Sequence, residues 1–326
     1  MNKDWLTYSE QLERREWHKK RDEILKRDSH KCQMCGTYGL EDNPLNIHHR
    51  YYIYQRYAWV YDNSALITLC SHCHRLVHET LAPLIYLEKD GDLQVMDFTP
   101  CYRCNGAGYF PEYKRIESGV CFRCRGARYE ELITNKQVKV SDYITNKYVF
   151  DVKSLTLDDK LILYYYDEAT RYHSGKQSSL TTPNEAKSFY YKAAINGYAQ
   201  AQNNLGVIYK NGFGNIQIDF EKALRWFIYS AMQGIHQAKR NIAEMYERNI
   251  GVDKNMPLSI RWEMLTWNRN DNDAINYALR RILDKSESIN IKNLYLRRIY
   301  RLANKGNDKA KNIVSKIDPI LKKYKL

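Results

Sequence analysis

The sequence predicts an α+β amino-terminal half built around cysteine-rich modules, followed by an all-α helical-repeat solenoid in the carboxy-terminal half. Three observations support this fold class. All eight cysteines occur in Cys-x-x-Cys pairs before residue 125. From residue 183 onward the chain is rich in helix formers. Small residues recur in that region with a period of 36 or 37 residues, which is typical of stacked helical hairpins.

The composition bounds the class of partner. The 326 residues are enough for two or three domains. Lys and Arg number 51 against 38 Asp and Glu, a formal net charge of +13, which favours polyanionic partners such as nucleic acid, although many soluble proteins are basic without binding one. No apolar stretch could span a membrane, and the charged amino terminus is unlike a signal peptide, so we expect a cytoplasmic protein.

The cysteine pairs predict two zinc sites. Four thiolates at this spacing can hold one tetrahedral ion, and a reducing cytoplasm disfavours disulfides. A thioredoxin-like redox motif would need one such pair beside a βαβ pattern, and four pairs argue against it. A four-cysteine site leaves no open position for water, so both sites are expected to be structural. The expected groups are Cys32, Cys35, Cys70 and Cys73 for the first site and Cys101, Cys104, Cys121 and Cys124 for the second.

A histidine cluster begins after the first cysteine pair and extends past the second. Five of the nine histidines fall between residues 48 and 78. His74 and His78 are four residues apart, so on a helix that begins after Cys73 they share one face and can reach one metal ion. His48 and His49 are adjacent, so on a strand their side chains point to opposite sides. One of them can then bind the metal while the other faces a substrate.

The order of these residues resembles the zinc-containing bacterial HNH nucleases. The resemblance is carried by Cys32-Gln-Met-Cys35, Ile47-His48-His49, Asp62-Asn63-Ser64-Ala65-Leu66-Ile67-Thr68-Leu69 and Cys70-Ser-His-Cys73-His74-Arg-Leu-Val-His78. It implies a ββα-metal nuclease in which His48, His74 and His78 bind a divalent ion and His49 is the general base. The implied catalytic ion is Mg2+ or Mn2+, with Ni2+ or Zn2+ as alternatives.

One position departs from the family pattern. The middle asparagine of many HNH motifs directly precedes the Leu-Ile-x-Leu-Cys segment, where this chain has Ala65. Asn63 lies two residues earlier. We expect Asn63, or its neighbour Asp62, to tie down the loop or to orient His49 through a hydrogen bond. His72, between two cysteines, is expected to project outward or to contact phosphate.

The second cysteine-rich segment resembles half of a DnaJ-type zinc domain. Cys101-Tyr-Arg-Cys104-Asn-Gly-Ala-Gly108 is followed by Cys121-Phe-Arg-Cys124-Arg-Gly-Ala-Arg128, in which Arg128 replaces the last glycine of the pattern. Glycines after each pair let backbone amides turn toward the thiolates. The module is either a structural knuckle with solvated charges or a surface that grips DNA beside the cleavage site. The residues expected to contact DNA are Arg103, Arg123, Arg125 and Arg128.

The repeat register runs through four units. One set of small residues is spaced by 37, 36 and 36 positions: Ala201, Ala238, Ala274 and Ala310. A second set lies four positions before each member of the first: Gly197, Gly234, Asn270 and Gly306. The segment from about 184 to 315 resembles Sel-like repeats, relatives of tetratricopeptide repeats, and its first two units match best. The resemblance implies a scaffold for a protein partner or for self-association.

Four regions are predicted from these patterns. Residues 1–82 form the nuclease with its four-cysteine site, 83–133 a hairpin and the second zinc module, 134–182 a connector, and 183–326 the repeats. Within them, residues 4–29 favour a helix, and Asp90-Gly91 favours a turn in a hairpin over 84–98. The connector contains the strand-like pieces YVFDV and LILYYY.

The leading functional interpretation is a metal-dependent HNH endonuclease that hydrolyses DNA. The repeats would regulate or recruit it, for instance in defence against phage, an idea that rests on architecture alone. One alternative is a catalytically silent zinc protein that binds DNA or acts as an adaptor, which the shifted asparagine favours. Another is an RNA nuclease, because the chemistry is shared and no residue is identified that reads the sugar.

Overall fold

The computed structural model describes residues 8–41, 43–89, 92–110, 119–133, 158–267, 272–284 and 286–323. The chain forms two compact units, residues 1–235 and 236–326. The division between them falls inside the region 183–326 that the sequence assigns to the repeats. Within the described ranges, no helix is long and apolar enough to cross a membrane.

Two helices begin the described chain. α1 (Tyr8–Glu13) and α2 (Arg15–Arg27) stand where the sequence predicted one helix over 4–29. The single helix is wrong because Arg14 between them has an extended backbone, with φ −74° and ψ 144°. Residues 4–7 lie outside the described residues. α2 buries Trp17, Ile24 and Leu25, and its charged positions stay at the surface.

The segment with the clustered histidines folds as two strands and a helix. β1 (Leu45–His49) pairs antiparallel with β3 (Leu66–Cys70), and α3 (Ser71–Thr80) follows β3 directly. All five residues of β3 are buried, which fits its apolar composition. In the register of the pair, His48 lies opposite Ile67. A short 3-10 helix, Asn63–Ala65, leads into β3.

A second sheet has three strands. β2 (Tyr51–Ile53) pairs parallel with β4 (Leu84–Lys89), and β4 pairs antiparallel with β5 (Asp92–Met96). The predicted hairpin is therefore present, although its Asp90-Gly91 turn lies outside the described residues. Tyr52, Phe98 and Tyr129 share a buried cluster, which joins this sheet to the second cysteine-rich module. The four-residue helix α4 (Glu130–Ile133) follows that module.

Four longer helices complete the first unit: α5 (Asp159–His173), α6 (Pro183–Ile195), α7 (Ala199–Asn211) and α8 (Phe220–Met232). The prediction of strand-like structure for LILYYY is wrong, because residues 161–166 lie within α5. Asp158 caps this helix by accepting a hydrogen bond from the Lys160 amide. An aromatic ring of α5 packs against α6, because the ring centroids of Tyr165 and Phe189 are 4.9 Å apart. YVFDV lies outside the described residues.

The second unit contains five helices within its described residues: α9 (His236–Arg248), α10 (Met256–Met264), α11 (Asn272–Leu283), α12 (Ile289–Asn304) and α13 (Asp308–Lys323). The helical-repeat prediction is confirmed. The recurring alanines are buried, three with 0% exposure and Ala274 with 8%. Gly197, Gly234 and Gly306 have φ of 90°, 92° and 89°, a left-handed helix ending that favours glycine. Asn270 lies outside the described residues.

Candidate metal centre and nuclease site

Three histidines meet at one point beside β1. His48 comes from β1, and His74 and His78 come from α3, where four-residue spacing puts them on one face. One ring nitrogen from each lies within 4.8 Å of the other two. The ring centroids are 5.3 Å apart for His48 and His74, 5.0 Å for His48 and His78, and 4.7 Å for His74 and His78. The predicted ligands are thus brought together at distances that one ion can bridge.

The chemistry of these nitrogens fits a metal. His48 and His78 are buried, with 2% and 3% exposure, and His74 is partly exposed. Within the described residues, Nδ1 of His48 and Nε2 of His78 have no hydrogen-bond partner. Burial holds the pKa of His48 and His78 well below the ordinary value and lowers the pKa of His74 to about 4. Neutral imidazoles with a free nitrogen are the form that binds a metal ion.

The other ring nitrogen of His78 faces the second cysteine-rich module. His78 Nδ1 lies 3.4 Å from the backbone oxygen of Asn105. In return, the Asn105 side-chain amide donates to the backbone oxygen of His78. A hydrogen bond from Nδ1–H to that carbonyl leaves Nε2 for a metal, as outer partners of metal-binding histidines do. Asn105 was missed from the sequence because its partner is 27 residues away.

His49 lies in surroundings that differ from those of its neighbour His48. Its Nε2 is 3.1 Å from the backbone oxygen of Ala58, and its Nδ1 has no partner among the described residues. The ring stacks on Trp17 at 5.6 Å and meets Tyr61 edge-on at 4.8 Å. Burial, and then the charge of Arg128, lower the pKa of His49 to about 3. His49 is therefore neutral at neutral pH, and its Nδ1 carries no hydrogen bond from a described residue.

Asn63 lies against α2, not against His49. Its Oδ1 accepts a hydrogen bond from Lys20 Nζ at 2.9 Å, and its Nδ2 donates to Glu23 Oε1 at 2.6 Å. The carbonyl of Ala58 holds the His49 ring instead. The Ala58 amide in turn donates to the side-chain oxygen of Gln11 at 2.9 Å. A backbone carbonyl has no residue-type signal, so sequence reasoning could not find it.

Two four-cysteine clusters are also present. In each cluster the sulfur atoms all lie within 4.8 Å of one another. The Sγ atoms of Cys35 and Cys70 are 3.8 Å apart, and those of Cys104 and Cys124 are 3.7 Å apart. The edge of a tetrahedron with metal–sulfur bonds of about 2.3 Å is about 3.8 Å, so both clusters fit a tetrahedral ion. Their members are Cys32, Cys35, Cys70 and Cys73, and Cys101, Cys104, Cys121 and Cys124.

The pair Arg27-Asp28 connects α2 to β3 beside the first cluster. Asp28 is 8% exposed, and its carboxylate accepts hydrogen bonds from Arg27 Nε at 2.8 Å and from the Thr68 amide at 2.9 Å. Arg27 also donates to the backbone oxygen of Leu66 at 2.9 Å. Burial alone would raise the pKa of Asp28, but the hydrogen bonds from Arg27 and Thr68 lower it on balance. The pair fixes the strand that leads into Cys70 and Cys73 of the first cluster.

In the second cluster, a backbone amide turns toward a cysteine sulfur, as predicted. Gly108 N–H donates to Cys104 Sγ at 3.3 Å. A charge-assisted contact of this kind stabilises a thiolate ligand. Gly108 has φ of 71°, which explains why glycine is favoured there.

The four arginines expected to contact DNA lie in different environments. Arg103 stacks on Phe122 at 3.5 Å, and Arg123 lies over Tyr102 at 5.1 Å while pairing with Glu130 at 2.8 Å. The side chains of Phe122 and Tyr102, which sequence reasoning missed, are 63% and 79% exposed, respectively. The remaining members of the set are Arg125, which is exposed, and Arg128, which is partly buried.

Known protein families match both the segment with the first cysteine cluster and the histidines, and the helical repeats. The HNH endonuclease family matches residues 32–80, which span the first cysteine cluster and all three histidines. The Sel1 repeat family matches residues 172–198, 199–235 and 236–262. The chain combines an HNH endonuclease domain with Sel1 repeats. The matched repeats start earlier than the predicted 184 and end at residue 262, so the weaker predicted units around Ala274 and Ala310 lie outside the match.

Two solved structures are similar to the repeat-containing part of the chain. One is a Sel1 repeat protein from Oxalobacter formigenes, with 23% identity, a TM-score of 0.36, and coverage of 50% of this chain and 67% of that one. The other is c5321, a protective antigen of uropathogenic Escherichia coli with an SLR fold, with 20% identity and a TM-score of 0.35. That match covers 48% of this chain and 33% of the antigen. No curated protein matches the chain.

Proposed function

We propose that the HNH domain is a metal-dependent endonuclease that hydrolyses phosphodiester bonds of DNA. The observation that carries the proposal is the three-histidine cluster, with its free ring nitrogens, next to the neutral base His49. The formal net charge of +13 supports a polyanionic substrate. Binding of zinc by both four-cysteine clusters belongs to the same proposal, and their sulfur distances support it.

His48, His74 and His78 would hold a divalent ion, for which we propose Mg2+ or Mn2+, with Ni2+ or Zn2+ as outcomes of a metal screen. When bound, such an ion would supply positive charge beside the scissile phosphate. His49 takes a proton from the attacking water at Nδ1, while its Nε2–H donates to the Ala58 carbonyl. The water oxygen bonds to phosphorus, and the bond from phosphorus to the leaving sugar oxygen breaks. That oxygen takes a proton from solvent, which gives a phosphate monoester and an alcohol.

Water and substrate can reach His49 only if the residues that bury it move. The ring is 1% exposed and is enclosed by Trp17 and Tyr61. Ala58 and Tyr61 belong to residues 54–62, a segment without helix or strand. We propose that this segment opens when DNA binds, because it is the irregular part of the enclosure.

The second cysteine module and the repeats extend the proposal to binding. Arg103, Arg123 and Arg125 are proposed to contact DNA phosphates. The exposed faces of Tyr102 and Phe122 offer stacking surfaces for unpaired bases. The Sel1 repeats are proposed to recruit or regulate the nuclease through a protein partner or self-association, and defence against phage is one setting for such control.

The test is cleavage of plasmid DNA with a panel of divalent ions. Wild-type protein is expected to nick or cut the duplex with Mg2+ or Mn2+. His49→Ala should lower the rate by about 10²–10⁴-fold with unchanged metal content, because His49 is not a ligand. The control is His18→Ala, which removes an exposed histidine of α2 and should change nothing. Unchanged cleavage by His49→Ala contradicts the assigned base.

The same assay separates the competing functions. Cleavage of RNA in preference to DNA would make the protein an RNA nuclease. Binding of DNA without cleavage under any metal would favour a silent adaptor, for which the hydrogen bonds of Asn63 to Lys20 and Glu23 are the supporting observation.

A further inference from the structure

Arg128 occupies a position that the pattern of its own module gives to glycine. The two halves of the module have matching backbones, with φ of 78° at Gly106 and 84° at Gly126, and 71° at both Gly108 and Arg128. A non-glycine residue in the left-handed region is strained by on the order of 1–3 kcal/mol. The backbone therefore disfavours arginine at this position. The contacts of the side chain must explain why an arginine is present.

The side chain of Arg128 reaches into the HNH domain. Its stem passes over Gly108, where an added Cβ would lie only 2.9 Å from Arg128 Cγ. Its guanidinium stacks between Tyr8 and Tyr52, with Cζ 3.6 Å and 3.8 Å from the two ring centroids. The Tyr52 ring is itself 5.5 Å from the ring of His49. Only one aromatic ring separates the arginine from the proposed base.

Within the part of the chain that the structure describes, no carboxylate pairs with Arg128, and its buried Nε has no hydrogen-bond partner. Arg123 of the same module, by contrast, pairs with Glu130 at 2.8 Å. A desolvated cation without an anion is costly, and two tyrosine faces offset only part of that cost. The rings cover the faces of the guanidinium plane, so its donors point along the edge, a geometry that suits phosphate oxygens.

The same module also holds a metal-site histidine. Asn105 exchanges hydrogen bonds with His78. Like Arg128, Asn105 is a non-glycine residue in the left-handed region, with φ of 44°. The φ of Asn105 is matched by 46° at Arg125, the equivalent position of the other half, so it is the contacts of Asn105 and Arg128 that direct this module toward the histidine site.

We propose that Arg128 binds the scissile phosphate and stabilises the negative charge that builds on it during hydrolysis. The second cysteine module then completes the nuclease site and does more than grip DNA beside it. This inference rests on the proposed phosphodiesterase function. Arg128 donates N–H groups to the non-bridging oxygens and exchanges no proton, so the bonds made and broken are those already given.

The decisive variant is Arg128→Gly. It restores the glycine of the pattern and relieves the backbone strain, so the module is expected to keep its zinc. Its kcat should fall about 10²–10³-fold on duplex DNA and on bis(p-nitrophenyl) phosphate, which has one phosphodiester and no flanking backbone. Arg128→Lys keeps the charge without the planar fork and should recover part of the rate. The control is Lys192→Gln, because Lys192 also lies over two rings, Tyr165 and Phe189, but in α5 and α6.

A binding measurement distinguishes this inference from the proposed function. Inorganic phosphate is titrated calorimetrically into Mn2+-loaded wild type and Arg128→Gly, and the variant should bind it at least about tenfold more weakly. Unchanged kcat and phosphate affinity in Arg128→Gly, with only a lower Tm, would mean that Arg128 only stabilises the fold. That result would overturn the inference. A wild type inactive on every phosphodiester would refute the nuclease function. In that case the phosphate titration alone would test the role of Arg128. Equal phosphate affinity in wild type and Arg128→Gly would overturn the inference.

Discussion

The two four-cysteine clusters have the same side chains and nearly the same sulfur spacing, yet they contact the histidine site in different ways. The first lies inside the HNH domain, and its Cys70 and Cys73 flank the junction of β3 and α3 that carries His74. The second follows the matched range 32–80 and reaches the site through Asn105 and Arg128. The first cluster joins the strand and the helix that carry the histidines, and the second adds side chains that reach toward them.

The largest effect is expected from Cys73→Ser in the first cluster. Structural zinc contributes an apparent 10–16 kcal/mol, roughly, in small zinc domains, which matches or exceeds the typical total stability of a domain, about 5–15 kcal/mol. The variant should hold one zinc fewer than wild type and lose the near-ultraviolet circular dichroism of the HNH domain together with all cleavage. Folded, active Cys73→Ser protein would show that the first cluster is dispensable.

A more selective loss is expected from Cys124→Ser in the second cluster. This variant should also hold one zinc fewer, but the first cluster and the three-histidine site should keep their metals. Cleavage should fall to about the level of Arg128→Gly, some 10²–10³-fold below wild type, because the arginine is no longer positioned. Metal analysis alongside the rate checks this, and an unchanged rate would remove the second cluster from the site.

A smaller, purely structural effect is expected from Asp28→Asn beside the first cluster. The buried carboxylate accepts from Arg27 and Thr68, so the change should cost about 1–3 kcal/mol of unfolding free energy with both zinc ions retained. The pKa of Asp28 is lowered in the fold. Its contribution is therefore present above the unfolded pKa and is lost as pH falls through the folded pKa. Thermal melts at several pH values measure this, with Asp22→Asn on the exposed side of α2 as control.

The smallest effect is expected from Asn105→Gly in the second cluster. Glycine accepts the φ of 44° and keeps the backbone oxygen that faces His78, so only the side-chain amide donor is lost. Affinity for the catalytic ion should fall by about tenfold or less, while zinc content stays the same. A Mn2+ titration of cleavage activity checks this. A loss as large as that of Arg128→Gly would mean that the module acts mainly through His78.

Local spacing was enough to predict which cysteines and histidines lie together. His74 and His78 are four apart on one helix, and the cysteine pairs lie at ligand spacing, so elementary helix geometry brings them together. The repeats were predictable for the same reason, because each unit restates the positions of small residues such as Ala201 and Ala238.

Contacts between distant segments were not predictable. The hydrogen bond from His49 to the Ala58 carbonyl depends on how residues 54–62 fold back, and Asn63 turns to Lys20 and Glu23. Arg128 was named from its charge and its break with the glycine pattern, but its place between Tyr8 and Tyr52 depends on packing between segments that are far apart in the sequence. LILYYY was assigned to strand because short apolar runs are ambiguous between strand and helix.

The most direct test of the idea that the second cluster acts through Arg128 is a double-mutant cycle on the kcat for bis(p-nitrophenyl) phosphate. The four proteins are wild type, Arg128→Gly, Cys124→Ser and the double variant. If the cluster's role is to position Arg128, then Arg128→Gly should have no further effect in the Cys124→Ser background. Multiplying losses in the double variant would contradict this account, because the cluster and the arginine would then act independently.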